Sequence, residues 1–99
     1  MPPQHWRHLW LNVPRLGDYT FWWPIIQLDS YIVITAAEAD LAAQTPGRFI
    51  GDARPIVTGS IAPQAGYVLF TLWWYGDFPY LNIWTDITVF DPSDPSGTN

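Results

Sequence analysis

A chain of 99 residues can bury one hydrophobic core and is too short for a second, which excludes multi-domain mechanisms. Four arginines, no lysine and nine acids leave a formal charge of −5, so the clustered basic surface that supplies most nucleic-acid affinity is excluded as well. The absence of cysteine rules out disulfides and thiolate chemistry, and a composition 48% hydrophobic and 17% aromatic is far from that of a disordered chain.

Ten prolines and seven glycines interrupt the chain at short intervals, which favours short strands over helices. No apolar run approaches the ~18 residues of a membrane helix, so no membrane span is expected. The opening MPPQHWRHLW lacks the basic start and long apolar stretch of a secretory signal, and no compartment is read from it.

From His5 to Val13 the pattern alternates, with Leu9, Leu11 and Val13 on one face against Trp6, His8, Trp10 and Asn12 on the other. This predicts a first strand with one face turned inward. Pro14 and Gly17 mark a turn, Tyr19 to Trp23 a second strand stopped by Pro24, and Ile25 to Thr35 a third. The segment Thr35 to Gly47 carries a capping-box pair, Thr35 and Glu38, several alanines and a Pro-Gly stop, the pattern of one short helix or an irregular excursion. Further short strands are expected at Phe49 to Ile50 and at Ile56 to Ile61, with Pro55 and Pro63 as limits.

The strongest strands are the last, Tyr67 to Trp74 and Tyr80 to Phe90, on either side of YGDFP. Residues 1–91 therefore read as a single β domain, and PSDPSGTN over 92–99 as a disordered tail or the start of a linker. The fold class expected is all-β: a small antiparallel sandwich or barrel of six to eight short strands, with at most one short helix.

If YGDFP closes a hairpin, Trp74 faces Tyr80, and Leu72, Phe70 and Val68 face Asn82, Trp84 and Asp86. One face is then Phe70, Trp74, Tyr80, Asn82, Trp84 and Asp86, aromatic but with polar groups that need water or partners. The opposite face, Tyr67, Leu69, Thr71 and Trp73 with Leu81, Ile83, Thr85, Ile87 and Val89, suits the core. A one-residue slip exchanges the faces within a strand. The four rings of the first face would leave roughly 300–500 Å² uncovered, at the upper end for a soluble monomer. These six residues are the candidate ligand- or partner-binding set, unless a second sheet covers them.

Chemistry-bearing motifs are sparse. His5 and His8, three apart on a strand, point to opposite faces and lack a third ligand, so no metal site is expected. Asp77 and Asp86 are the carboxylates nearest the rings, but Asp77 reads as a turn residue and no cleft is implied between them. No serine lies in a nucleophile-elbow context and no glycine-rich phosphate loop precedes a helix, so no catalytic residue and no cofactor is assigned. The function expected is a non-catalytic interaction module that self-associates or binds a protein partner through an aromatic face. The alternatives are a carbohydrate-binding module, with Asn82 or Asp86 bonding hydroxyls beside stacked rings, and a small-molecule barrel that could be an enzyme. The charged fraction of 13%, half the usual ~25%, leaves little protection against self-association.

Overall fold

The computed structural model describes residues 2–41, 47–49, 51–90 and 97–98. Seven strands, β1 (Gln4–Val13), β2 (Leu16–Trp22), β3 (Tyr31–Asp40), β4 (Gly47–Phe49), β5 (Ile56–Gln64), β6 (Tyr67–Trp73) and β7 (Leu81–Phe90), form two sheets. One sheet has the order β1-β7-β3-β4 and the other β2-β6-β5, with every pairing antiparallel. The fold is a sandwich rather than a barrel, and no helix occurs among the described residues.

Alternation makes each strand two-faced, and the inward sets meet between the sheets. β7 contributes Ile83, Thr85, Ile87 and Val89, β3 contributes Ile32 and Ile34, and β6 contributes Val68, Phe70 and Leu72. Val13, Phe21, Ile26, Ala53 and Trp74 close the ends of this core. Trp74 has no exposed surface; its indole Nε1 donates to the Pro14 carbonyl at 3.0 Å and its backbone N–H to that of Arg15 at 3.1 Å, which pins the β1–β2 turn to the end of β6.

The hairpin expected between the last two strands does not form. β6 pairs with β2 and β5, β7 pairs with β1 and β3, and residues 74–80 carry the chain from one sheet to the other. The inward face assigned to β7 is the observed one. That of β6 is inverted: Val68, Phe70 and Leu72 are buried, while Tyr67, Leu69, Thr71 and Trp73 face outward. A strand apolar on both sides offers no period-2 signal to choose between them.

The short helix or excursion expected over Thr35 to Gly47 is also overturned where it can be seen, since Thr35 to Asp40 extend β3; residues 42–46 lie outside the described part, as do 92–96 and 99 of the expected tail. Alternation of Ile32, Ile34, Ala36 and Glu38 toward the core overrides alanine's helix propensity, and Glu38 is buried rather than capping. In β1, Trp6, His8 and Trp10 turn to the other sheet and Leu9 and Leu11 turn away. A register shift between Trp10 and Val13, with Asn12 at φ 55°, then returns Val13 to the interior. Gly17 lies within β2 rather than in a turn, and Ile25 to Ser30 belong to the β2–β3 connection. Pro63 is tolerated inside β5 because that strand is an edge.

Candidate functional site

The six residues expected to share one surface are dispersed by the sheet crossing. Phe70 and Trp74 are core residues, Tyr80 is exposed in the β6–β7 connection, and Asn82, Trp84 and Asp86 lie together on the outer face of the four-stranded sheet. Each outer face of the sandwich now has a distinct character.

The outer face of the three-stranded sheet is apolar. Across it run Leu16, Trp73 and Ile56 in one row, Thr20, Leu69 and Ala62 in another, and Trp22, Tyr67 and Gln64 in a third. Leu16 is 63% exposed, Trp22 70% and Leu69 43%, although Leu69 sits on the central strand. Two aromatic pairs stand at opposite ends, Trp22 with Tyr67 (4.6 Å between centroids) and Trp73 with Tyr75 (4.3 Å). A further row, Asp18, Thr71 and Thr58, carries the one charged side chain among these rows, Asp18, whose carboxylate accepts from the Thr71 hydroxyl at 2.7 Å. Taking ~200 Å² per side chain and about half of it exposed, Leu16, Trp22, Ile56, Leu69 and Tyr75 present roughly 500–600 Å². The surplus of apolar surface expected from the composition therefore exists, on the face of β6 opposite to the one expected.

At one end this face runs into a groove of about 860 Å³ lined by Trp22, Pro24, Ile26, Leu28 and Gly66 among others. Its shape is held by backbone bonds, Trp23 N–H to Gly66 O at 2.9 Å and Gly66 N–H to Ile26 O at 2.8 Å, which lock the β2–β3 connection onto the β5–β6 turn. Gly66 permits that turn through a φ of +88°.

The outer face of the four-stranded sheet is polar and centred on Asp86. Register places Arg7 of β1 beside it, and Arg48 reaches it from β4 across β3. Its Oδ1 lies 3.2 Å from His5 Nε2 and 3.5 Å from Arg7 Nε, and its Oδ2 accepts from Arg48. His5 Nδ1 is 3.1 Å from the Thr88 hydroxyl, and the Arg7 guanidinium sits 5.5 Å from the Trp84 ring centroid. Asp86 is thus ion-paired through both oxygens, and among the described residues only Oδ2 also accepts a hydrogen bond. His5, Arg7 and Arg48 were not legible as site residues, because only the strand order brings residues from both flanking sides to β7.

Two titratable groups face inward. His8 packs against Trp10 (4.4 Å) and Phe21 (5.4 Å), and burial lowers its pKa. As expected for a strand, it points away from His5, and no metal-binding cluster occurs among the described residues. Glu38, 5% exposed, has its pKa raised by burial, offset in part by the Gly51 backbone N–H and reinforced by Asp52. Among the described residues its Oε2 has no hydrogen-bond partner, and it borders a cleft of about 240 Å³ with Gly51, Arg54 and Pro55.

No protein-family model, curated protein or solved structure matches this chain. What it can do follows from these surfaces alone.

Proposed function

We propose that the protein is a non-catalytic assembly module whose outer β2-β6-β5 face packs against the same face of a second copy. The observation that carries this reading is the two-sided apolarity of β6: Val68, Phe70 and Leu72 are spent on the core, while Tyr67, Leu69 and Trp73 remain on an uncovered face with Leu16, Trp22 and Ile56. The patch of roughly 500–600 Å² with its rim approaches the ~800 Å² per partner of a standard interface. Self-pairing suits a chain of net charge −5, because the rows of this face hold a single ionised group and so bring little like charge together.

Light scattering over a dilution series at neutral pH tests it. A stable multiple of 11.3 kDa is expected, and Leu69→Lys, placed at the centre of the face, should give a monomer that still unfolds cooperatively, with a transition independent of protein concentration. A wild-type chain monomeric at every concentration would overturn the proposal.

A carbohydrate reading is favoured by a different observation. The two aromatic pairs are anchored six residues apart along β6, about 20 Å at ~3.3 Å per residue, with the hydroxyls of Thr20, Thr58 and Thr71 between them. Retention of the monomer on insoluble polysaccharide, lost on Trp22→Ala, would replace the assembly reading by this one.

A further inference from the structure

From the opposite face we infer a binding site for a small organic carboxylate, its charged head on Arg7 and Arg48 and its apolar body on the neighbouring row of Leu9 and Trp84. The inference is independent of the assembly proposal, which uses the other sheet.

The charge of the cluster is unbalanced. Two guanidiniums and an imidazole converge on a single carboxylate, in a chain that otherwise carries an acidic excess. They also differ in depth: the Asp86 side chain is 17% exposed, against 49% for Arg7, 54% for His5 and 34% for Arg48. Arg7 and Arg48 are therefore more exposed than the anion that pairs them, and an incoming ligand meets their positive charge first.

Arg7 is already oriented for such a ligand. Its guanidinium carbon lies 5.5 Å over the Trp84 ring centroid and its Nε 3.5 Å from Asp86, while among the described residues its two terminal nitrogens make no hydrogen bond or ion pair. A planar fork of N–H groups matches a planar carboxylate better than it matches a tetrahedral anion. Beside the charged row, Leu9, Trp84 and Ala37 are aligned by register, giving a half-buried apolar strip for the body of the ligand. Asp86 then acts as a recessed internal stand-in for the ligand, holding the cations in place and competing with it.

That competition supplies the test. Benzoate, with benzamide as its uncharged counterpart and sulfate as a tetrahedral anion, is titrated at constant ionic strength while the indole and guanidinium N–H signals are followed by NMR. Benzoate should saturate and shift the Trp84 and Arg7 signals, benzamide should bind at least about tenfold more weakly, and Arg7→Gln should weaken benzoate by about tenfold, the effect of losing a charge-assisted pair. Asp86→Asn, with the fold verified from the same spectra, should tighten benzoate several-fold. Equal responses to benzoate and benzamide would overturn the proposal, as would weaker binding in folded Asp86→Asn. Sulfate binding as tightly as benzoate would reduce the site to a general anion patch and equally overturn the carboxylate assignment.

Discussion

Thr85→Val tests the way the interior is wired. Thr85 has no exposed surface, and its hydroxyl joins two elements: it accepts from Trp10 Nε1 at 2.8 Å and donates to the His8 carbonyl at 3.3 Å. Valine keeps the shape and removes both bonds. The short one contributes about 1 kcal/mol net, and leaving the indole N–H unpaired in a half-buried position adds a cost of similar size; the long one contributes little. The expected loss is about 2 kcal/mol, or roughly 8–16 °C in Tm for a domain of this size. Urea unfolding followed by far-UV circular dichroism measures it without depending on tryptophan emission. The same substitution in a Trp10→Phe background, where no donor is left to orphan, should cost only about half as much, a coupling near 1 kcal/mol. A Thr85→Val change below ~0.5 kcal/mol, or equal costs in the two backgrounds, would refute the reasoning.

Other consequences are equally open to measurement. A Cβ at Gly51 would overlap the Glu38 carboxylate, so Gly51→Ala should cost about 1–3 kcal/mol and lose most of that penalty in a Glu38→Ala background, as read by a denaturant double-mutant cycle. Because the folded pKa of Glu38 lies above its unfolded value near 4.5, its favourable contribution is complete below that pH and is lost as pH rises through the folded value; Glu38→Gln should therefore flatten stability on the alkaline side of pH 4.5. His8 acts in the opposite sense: its folded pKa lies below 6.5, so stability falls as pH drops from 6.5 through the folded value, and His8→Phe should abolish that slope. Trp74→Ala should cost about 3–5 kcal/mol in chemical unfolding, since it empties a fully buried ring site and frees the Pro14 carbonyl.

The all-β class and the inward set Ile83, Thr85, Ile87 and Val89 were legible because β7 alternates aliphatic residues with larger or polar ones. β6 resisted, because its outward Tyr67, Leu69 and Trp73 are as apolar as its inward residues; hydrophobicity cannot orient a strand whose exposed side is itself sticky. In β1, alternation marks a two-faced strand but does not say which face is inward; the contacts of Trp6 with Phe21 and of Trp10 with Phe70 in the other sheet decide it. Of the candidate site, Asn82, Trp84 and Asp86 were foreseen on one face, since alternation within a strand is local information. Their cationic neighbours arrive from β1 and β4, and that adjacency depends on a strand order set by which strand crosses to which sheet.

That strand order also governs the sequence of events by which the chain can fold. Only β3–β4 and β5–β6 pair with their immediate successors, and β7, the middle of the larger sheet, is the last strand in chain order. β1 has to wait for a partner some seventy residues away, as Trp10 does for Ile83. During synthesis its Trp6, Trp10 and Leu11 emerge long before anything can shield them. Loop closure on this scale slows folding and prolongs the exposure of unpaired strand edges. In a chain with so few charges, the interval before β7 arrives is the period of greatest risk of aggregation, and the yield of native protein should depend on the rate of chain elongation and on chaperone binding to the first strand.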